Sequence, residues 1–372
     1  MRIALVSSNS FHSYGGIQNH VLGLYNYLKS KGHYVKIISP KFKNERPVNH
    51  DHIFVGQSTK ISMNGGLTDF TILTKKDNLK QLFENEKFDI IHIHNPNLMI
   101  SLQILANSNS KNIITFHVLP DQSSLYGIFK RVIKGLKKIK IYKKINGVIY
   151  VSKPVKKYFA RYFRFKSQII PNGIEIERFN SNEKIEKFND GKINLLFLSR
   201  IEKRKGLIYL IKAFEILRKK NDKIRLIVAG TGNLEKACKK YVQKRKIPDV
   251  EFVGSISDED KIKYYNTCDI FCAPSIFGES FGIVLIEAMA SGKPIVGFAN
   301  KGYKTLLSGK AGKFLAKPKN HNSLARKINI LLKNKELREE IGKWGKEEVK
   351  NYSWNVVGEK IENFYRSVLN EK

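Results

Sequence analysis

The hydrophobic residues of this 372-residue chain are grouped in short runs that end at glycine, asparagine, proline or serine. Apolar runs of about four to eight residues bounded by such turn formers are typical of buried strands. They alternate with segments in which apolar residues recur every three or four positions, which is typical of amphipathic helices. The pattern predicts an α/β protein with parallel sheets. Strands are predicted at residues 3–7, 33–39, 88–96, 111–117, 147–152, 168–171, 194–199, 224–230, 250–256 and 293–298. The last of these strands is expected to close its sheet. Helices are predicted at about residues 17–31, from residue 154, and at 207–219, 283–290 and 355–369.

The chain is long enough for two α/β domains, each with its own core. Residues 175–191 are polar and poorly patterned, which suits a connection between domains. Residues 40–74 form a variable region to which the pattern assigns no element. We therefore expect a first domain over residues 1–174 and a second over residues 175–354, followed by a final helix within residues 355–372.

The most informative stretch is residues 277–294, in which two carboxylates, Glu279 and Glu287, lie on either side of seven residues. Gly278 and Gly282 allow the backbone to turn tightly and leave amide groups uncovered by side chains. Glu279 should therefore lie on the loop before the predicted helix, and Glu287 about one turn inside it. Amide groups at such a helix start can face a polar ligand. Spacing alone leaves an alternative open, namely a buried helix with a loop glutamate and a salt-bridged helix glutamate.

The motif G-E-S-F-G-I-x-x-I-E-A-M-A-x-G-x-P in this stretch resembles that of the retaining glycosyltransferases of family 4. Those enzymes have the GT-B fold, in which two Rossmann-like domains with parallel sheets face each other across a cleft. The resemblance implies that the C-terminal helix crosses back to the first domain. It also implies that Glu287 holds the nucleotide ribose, and that Glu279 holds the hydroxyls of the donor sugar together with the amides of Phe281, Gly282 and Ile283.

Two features of the first domain carry candidate chemistry. Gly15 and Gly16 follow the first strand and precede a helix start, which is the arrangement of an anion site, although the dinucleotide motif G-x-G-x-x-G is absent. The resemblance implies that Gly16 approaches the donor diphosphate and that Gln18 faces the acceptor. His117 ends a predicted strand, where open α/β sheets bind ligands. The family's matching T-F-H motif implies that His117 contacts the sugar near its reacting carbon.

His92 and His94 lie on one face of another predicted strand and could form a metal pair. No further ligand cluster is evident in the sequence. We therefore favour structural or acceptor-lining roles for these two histidines and predict no metal site.

The second domain begins with a cationic segment, residues 200–206 (R-I-E-K-R-K-G), ahead of a predicted helix. Cations at a helix start oppose the helix dipole, so a bound diphosphate would explain them, although lysines are also common on such surfaces. The resemblance, here to the motif R-x-x-x-K-(R/K)-G, implies that Arg200 and Lys205 bind the diphosphate and stabilise charge on the departing nucleotide. Gly230 and Ile256, each near the end of a predicted strand, would lie close to the nucleotide and its base.

Within the family, the nearest resemblance is to phosphatidyl-myo-inositol mannosyltransferases, with which the chain shares G-G-I-Q-N-H, H-I-H-N-P-N, T-F-H and R-K-G. This resemblance implies that Gln18, Asn97 and Arg204 bind the inositol phosphate of a phospholipid acceptor. Asn95 stands where that group usually has an acid, and the position of Tyr14 lacks its proline. Acceptors of polysaccharide or soluble-glycan synthesis therefore stay open.

In the mechanism usual for this class, the acceptor hydroxyl and the leaving diphosphate share one face of the sugar, and the leaving phosphate takes the proton. No protein nucleophile and no cofactor are required beyond the donor, a GDP- or UDP-hexose. Mg²⁺ is not indicated, since Arg200 and Lys205 would replace a divalent ion. Two rivals remain: a GT-B epimerase or phosphorylase, and a non-catalytic basic binding protein. No lysine in a pyridoxal-phosphate context supports a phosphorylase.

The net charge is unusual, because 67 basic residues against 33 acidic ones give +34. Such an excess indicates phosphate-rich ligands, anionic lipid or nucleic acid, unless it reflects lysine-rich codon usage alone. Between residues 122 and 174 there are 14 Lys or Arg and no acidic residue, and apolar residues recur at helical spacing from Leu125 to Tyr142. We expect residues 125–166 to contact an anionic membrane surface, with a core-packed helix as the alternative. No nucleic-acid-binding motif accompanies the charge.

The composition favours a cytoplasmic enzyme. The three cysteines form no recognisable disulfide or metal framework. No apolar run approaches the roughly 18 residues that span a bilayer, and the first residues resemble a strand more than a signal peptide. A peripheral position on the inner face of the membrane is compatible with the basic segment.

Overall fold

The computed structural model describes residues 1–12, 15–63, 66–72, 76–96, 98–119, 141–162 and 164–371. The chain divides into two compact units. The first unit combines Met1–Ile174 with Ser353–Lys372, and the second is Glu175–Tyr352. The chain thus returns to the first unit at Ser353, slightly before the boundary expected after residue 354.

The first unit contains an eight-stranded sheet. Its strands are β1 (Arg2–Ser7), β2 (Tyr34–Phe42), β3 (His52–Met63), β4 (Gly66–Ile72), β5 (Ile90–His94), β6 (Lys111–Phe116), β7 (Ile145–Tyr150) and β8 (Ser167–Ile169). They lie in the order β4-β3-β2-β1-β5-β6-β7-β8. β4 is antiparallel to β3 and the other neighbours pair in parallel, which confirms the predicted α/β class. β1 and β5 are buried along almost their whole length because central parallel strands are covered on both faces, and β1 has a continuous apolar run from Ile3 to Val6.

Strands β3 and β4 were not predicted, since they fall within the region to which the sequence pattern assigned no element. β3 carries Gly56 at a left-handed φ of 77°, which interrupts the alternation of its side chains. The pairing of β2 with β3 also shifts register between Ser39 and Lys41. A strand with such an irregularity lacks the period of two that identifies a strand from sequence.

The first unit also includes α1 (Gly16–Ser30), α2 (Lys76–Glu86), α3 (Leu98–Asn107), α4 (Lys153–Phe159) and the C-terminal helix (Trp354–Leu369). The C-terminal helix packs on α1. This contact requires glycine, because a Cβ at Gly23 would lie 2.1 Å from Trp354 Nε1 and a Cβ at Gly358 would lie 2.4 Å from Tyr27 Cδ1. The helix is thereby an integral part of the core of the first unit.

The second unit contains a parallel sheet of six strands. They are β9 (Ile193–Leu198), β10 (Ile224–Ala229), β11 (Val250–Gly254), β12 (Ile270–Ala273), β13 (Ile295–Phe298) and β14 (Leu315–Ala316), in the order β11-β10-β9-β12-β13-β14. The prediction that residues 293–298 close the sheet was wrong, because β14 pairs with β13 at its edge. Two residues are too short a strand to produce a recognisable pattern.

The second unit has eight α-helices among the described residues: α5 (Leu207–Arg218), α6 (Glu235–Lys244), α7 (Asp258–Thr267), α8 (Ile283–Ala290), α9 (Tyr303–Leu306), α10 (Gly309–Gly312), α11 (His321–Leu332) and α12 (Lys335–Glu348). Residues 175–191, expected as a connection, belong to this unit and form two short 3₁₀ helices, Ile176–Asn180 and Glu186–Phe188. Phe179 and Phe188 are buried there, so isolated aromatic anchors fix a segment that has no periodic pattern.

None of the helices within the described ranges is both long enough and apolar enough to cross a membrane.

Candidate functional site

The loop between β12 and α8, residues 274–282, carries the first of the two predicted glutamates. Gly278 and Gly282 adopt φ values of 74° and 104°, which favour glycine over every other residue. A Cβ at Gly282 would lie 2.8 Å from Tyr303 Cε1, so the backbone there also approaches a neighbouring ring closely. The loop leads directly into α8 at Ile283, where the sequence predicted the helix to begin.

Glu279 is a buried carboxylate held by two cations. Its Oε1 accepts a hydrogen bond from Lys205 Nζ at 2.6 Å, and Arg204 Nη1 lies 3.4 Å from the same oxygen. Burial alone would raise the pKa of Glu279, but the charges of Lys205 and Arg204 outweigh it and hold that pKa below its ordinary value. Burial also lowers the pKa of Lys205, and the attraction of Glu279 offsets this only in part. Glu279 and Lys205 therefore form a buried ion pair, and Glu279 lies just before the start of α8.

The cationic segment of residues 200–206 is organised around Glu202, which is buried. Its carboxylate forms an ion pair with Arg200 Nη1 at 2.9 Å and accepts a hydrogen bond from Arg204 Nε at 3.1 Å. Lys203–Lys205 form a 3₁₀ turn that precedes α5, so the cations lie just before the helix start. We call Arg200, Glu202, Arg204, Lys205 and Glu279 the charged cluster; its three cations against two carboxylates leave one positive charge.

The loops of the charged cluster are joined through their backbones. Gly206 has a φ of 71°, and a Cβ there would lie 2.1 Å from the carbonyl oxygen of Pro274. The amide of Ile276 donates to the carbonyl of Arg204 at 2.8 Å. Glycine at position 206 thus allows the cationic turn to lie against the loop that bears Glu279, at the carboxyl ends of β9 and β12. That is the edge at which parallel α/β sheets bind ligands.

Glu287 lies within α8, is buried, and has both carboxylate oxygens engaged. Its Oε1 is 2.9 Å from Lys261 Nζ, and its Oε2 accepts a hydrogen bond from the hydroxyl of Tyr265 at 2.9 Å. Sequence reasoning assigned no role to Lys261 or Tyr265. No signal could have revealed them, because they lie on α7, more than twenty residues before Glu287.

Of the other residues of the second unit that are predicted to bind the donor, Gly230 and Ile256 follow strands, and Phe281 and Ile283 lie at the start of α8. Gly230 follows β10 at a φ of 125°, and its Cβ would lie 2.1 Å from the carbonyl oxygen of Ser199. Ile256 follows β11 and is half-buried. Phe281 is buried against Tyr352, while Ile283 is half-buried as the first residue of α8.

In the first unit, Gly16 is the first residue of α1, and the N-cap residue, Gly15, has no side chain that could cap the helix. Gln18 is the third residue of α1, and its buried side chain reaches back to the preceding loop, where its Nε2 donates to the carbonyl of Ser10 at 2.9 Å. The side-chain amide predicted to face the acceptor is therefore engaged by the loop that precedes its helix. The hydrogen bond from Gln18 to Ser10 stabilises the conformation of the loop before α1.

His20, His92, His94 and His117 form a buried group at the carboxyl ends of β5 and β6, which we call the histidine cluster. His117 Nδ1 is 2.9 Å from Asn172 Oδ1, and its Nε2 is 3.1 Å from His94 Nδ1. The ring of His20 lies edge-on to His117 with centroids 4.8 Å apart. Burial lowers the pKa of His117 to about 4 and that of His92 to about 3. Burial also holds the pKa values of His20 and His94 well below the ordinary range.

The histidine cluster bears on the question of a metal site. His20, His94 and His117 each offer a ligand atom within 4.8 Å of the others, so three imidazoles come together where the sequence showed only the pair His92 and His94. His92 is not among them: its Nδ1 is 2.6 Å from the Tyr365 hydroxyl and its Nε2 is 2.6 Å from Thr115 Oγ1. The three come from α1, β5 and the end of β6, which is why spacing along the chain could not reveal them.

Two predictions concern residues that the structure does not describe or describes only in part. Asn97, and residues 125–140 of the basic segment, lie outside the described residues. Within its described remainder, α4 buries Val155, Tyr158 and Phe159 and exposes Lys153 and Lys157. That helix packs into the core and presents a lysine face to solvent.

Two family models match the chain. The model described as Glycosyltransferase Family 4 matches residues 14–178, and the model described as Glycosyl transferases group 1 matches residues 178–348. Together they extend over both units and include both glutamates and the cationic segment. This chain is a glycosyltransferase of family 4.

The glycosyltransferase is 28% identical over 372 residues to the phosphatidyl-myo-inositol mannosyltransferase of Mycobacterium leprae, across 99% of this chain and 97% of the relative. A glycosyltransferase from Rickettsia africae ESF-5 has a similar structure, with a TM-score of 0.78 at 21% identity over 100% of this chain and 99% of the other. Anabaena Alr3699/HepE, solved in complex with UDP and glucose, matches with a TM-score of 0.74 at 16% identity over 99% and 100% of the two chains. These similarities confirm the GT-B fold.

Family membership confirms the predicted enzyme class. It does not assign the individual residues of this glycosyltransferase, whose roles in binding donor and acceptor stay predictions.

Proposed function

We propose that this glycosyltransferase transfers a hexose from a nucleotide-diphosphate sugar to an acceptor hydroxyl with retention of configuration. The observation that carries the proposal is the buried contact of Glu279 with Lys205 and Arg204 at the start of α8. A buried carboxylate suits recognition of sugar hydroxyls, and the surplus positive charge around it suits a diphosphate. The UDP and glucose bound by the structurally similar Anabaena protein support the same class of donor.

In this proposal Lys205 and Arg200 neutralise the diphosphate as the bond to the sugar breaks. Arg200 suits this role because its side chain is 56% exposed while Glu202 anchors its guanidinium. Glu279 and the amides of Phe281, Gly282 and Ile283 orient the sugar hydroxyls, Gly16 approaches the diphosphate, and Glu287 holds the ribose. Gly230 and Ile256 border the nucleotide.

The chemical step needs no protein nucleophile. The acceptor hydroxyl approaches the face that the diphosphate leaves, and its proton passes to the departing phosphate. His117 lies beside the sugar near its reacting carbon as a neutral imidazole, since its pKa of about 4 keeps it uncharged at pH 7. Rate acceleration then comes from positioning and from charge stabilisation of the leaving group, with Arg200 and Lys205 supplying positive charge that a divalent ion supplies elsewhere.

For the acceptor we propose a phospholipid with an inositol phosphate head group, bound by Arg204, Asn97 and Gln18. Full-length similarity to mannosyltransferases that are named for phosphatidyl-myo-inositol supports this choice. The lysine face of α4 is compatible with an anionic leaflet, and hence with a peripheral position on the cytoplasmic side of the membrane. Gln18 would have to release the Ser10 carbonyl to bind this acceptor. Soluble glycans are the second candidate, because this amide is already engaged.

A panel of UDP- and GDP-hexoses, offered with extracted lipids or with soluble glycans, tests the proposal. We expect one donor to yield product whose anomeric configuration, read by NMR, matches that of the donor. Lys203→Met serves as the matched control for Lys205→Met, because Lys203 lies exposed in the same turn. Turnover should survive in the control and be lost in Lys205→Met.

Four outcomes would contradict the proposal or a part of it. Conversion of the sugar nucleotide without any acceptor would indicate an epimerase. Binding of polyanions without turnover of any donor would indicate a non-catalytic basic protein. Product of inverted configuration would exclude the retaining mechanism, and product on soluble glycans alone would exclude the lipid acceptor.

A further inference from the structure

The carboxylate of Glu287 is held from two sides by residues of α7. Lys261 Nζ lies 2.9 Å from Oε1 and also 2.9 Å from Asp258 Oδ1, so its ammonium bridges two carboxylates. Burial opposes the charge of Lys261, but the two carboxylates, Glu287 first, outweigh it and raise its pKa. Lys261 therefore keeps Glu287 beside a permanent positive charge at neutral pH.

Tyr265 holds the other oxygen and is itself immobile. Tyr265 is fully buried, and its ring centroid lies 5.3 Å from that of Phe271 and 6.1 Å from that of Phe179. Its hydroxyl is 2.9 Å from Glu287 Oε2 and 3.2 Å from the carbonyl oxygen of Val284. The single hydroxyl proton goes to the carboxylate, because hydrogen bonds to ionised acceptors are the stronger ones. Burial, and then the charge of Glu287, raises the pKa of Tyr265 well above its ordinary value, so the hydroxyl stays a donor.

These two contacts leave Glu287 with a defined set of free acceptor positions. An ionised carboxylate has about four lone-pair sites, two on each oxygen. Tyr265 and Lys261 occupy one site on each oxygen, so one site on each oxygen remains. Two parallel acceptors on one carboxylate match two neighbouring hydroxyls, which is the pattern of a cis-diol such as that of ribose. A carboxylate that is already fixed also loses less side-chain entropy when the diol binds.

We propose that Tyr265 is a positioning residue for diol recognition: it fixes the Glu287 carboxylate so that its free lone pairs accept the two ribose hydroxyls of the nucleotide. The inference rests on the proposed function, since it takes Glu287 as the residue that holds the ribose. It adds a second residue to that role, one that touches no ligand and acts only through Glu287.

The test compares ribose with 2′-deoxyribose ligands. Dissociation constants of UDP, GDP and their 2′-deoxy counterparts are measured by calorimetry for the wild-type enzyme, Tyr265→Phe and Tyr264→Phe. Tyr264 is the matched control: it precedes Tyr265 on the same helix, is buried, and packs its ring near Phe188. Tyr265→Phe keeps the ring that fills the core and removes only the hydroxyl.

We expect Tyr265→Phe to weaken binding of the ribose nucleotide by about tenfold, the size of one hydrogen bond to a charged group. Binding of the 2′-deoxy nucleotide should change little, so the preference for ribose shrinks. In turnover assays the donor KM should rise while kcat stays near wild type, because the ribose contact is equal in ground and transition states. In a Glu287→Ala background the same substitution should have no further effect on ribose preference.

The assignment would be overturned if Tyr265→Phe preferred ribose nucleotides over 2′-deoxyribose nucleotides as strongly as Tyr264→Phe does. It would also be overturned if Tyr265→Phe weakened binding of both nucleotides equally, because equal weakening indicates a structural role. The failure of the proposed function looks different. In that case the wild-type enzyme itself binds no nucleotide or shows no ribose preference, and the Tyr265 assignment falls with it.

Discussion

The histidine cluster of the first unit and the charged cluster of the second unit are both buried, yet they handle charge in opposite ways. In the histidine cluster, burial drives the pKa values down, and the imidazoles contact neutral partners such as Asn172 and Tyr365. In the charged cluster, Glu279 stays ionised because Lys205 and Arg204 lie against it. A buried group becomes neutral unless an opposite charge accompanies it. The comparison shows that the histidine cluster is neutral at pH 7, whereas the charged cluster keeps a surplus positive charge, which suits the anionic donor that we propose.

The largest effect should come from Glu279→Gln, which removes the carboxylate and keeps its shape. Lys205 and Arg204 would lose their partner, and the sugar hydroxyls would lose their acceptor. We expect kcat/KM to fall by about 10³, the upper range for loss of one preorganised polar group in an active site.

Glu339→Gln, an exposed residue of α12, is the control and should leave kcat/KM unchanged. Activity of Glu279→Gln within tenfold of wild type would show that the charged cluster does not act on the donor.

Acid sensitivity of folding separates the two clusters. The histidines have folded pKa values below their unfolded value near 6.5, so the unfolded chain binds more protons between pH 6.5 and about 4. Their contribution to stability is complete above pH 6.5 and is lost as the pH falls toward those folded values, by up to about 1.4 kcal/mol per pH unit for each buried histidine. Glu279 contributes in another window, because its lowered pKa makes its loss begin only below its unfolded value of 4.5.

Chemical denaturation between pH 7 and 5 measures the part of the pH-dependent free energy of unfolding that comes from histidines. His92→Gln should reduce the slope of unfolding free energy against pH, whereas His50→Gln should not, because His50 is exposed. A slope that His92→Gln leaves unchanged would mean that the cluster is already solvated or charged.

Glu202→Gln should have an intermediate effect on the charged cluster. Arg200 and Arg204 would keep their charge and lose the carboxylate that aims them. We expect the donor KM to rise by about tenfold, corresponding to about 1.4 kcal/mol of binding, with a smaller change in kcat. Steady-state kinetics at two ionic strengths measure it. An unchanged KM would assign Glu202 to folding alone.

Asn172→Ala should have the smallest effect, and it tests whether the histidine cluster is uncharged. It removes the oxygen that lies 2.9 Å from His117 Nδ1. A bond between neutral groups contributes about 1 kcal/mol to the free energy of unfolding, and denaturation should show a loss of that size. A loss of several kcal/mol would mean that His117 is protonated in the folded enzyme, contrary to its lowered pKa.

The elements of this enzyme that depend on a local sequence pattern could be predicted from the sequence. Apolar runs located most parallel strands, and the motif from Gly278 to Pro294 located the turn, the start of α8 and both glutamates. Residues 200–206 were recognised as a cationic segment before a helix for the same reason, since their chemistry is contiguous along the chain.

What could not be predicted depends on contacts between distant residues. β14 is only two residues long, and β3 has an irregular register, so neither shows a period. Tyr265 reaches Glu287 from another helix, and His20 meets His117 from another element. Gln18 was expected to face an acceptor and is engaged by the Ser10 carbonyl, a partner that no spacing rule indicates.

The most direct test of the charged cluster is to compare binding of a nucleoside diphosphate with binding of the corresponding nucleoside in Lys205→Met and wild-type enzyme. We predict that Lys205→Met weakens binding of the diphosphate by at least about tenfold and leaves binding of the nucleoside unchanged, because in our proposal Lys205 contacts the phosphates. Equal affinity of both enzymes for the diphosphate would contradict the central claim that the buried cations of the second unit meet the anionic end of the donor.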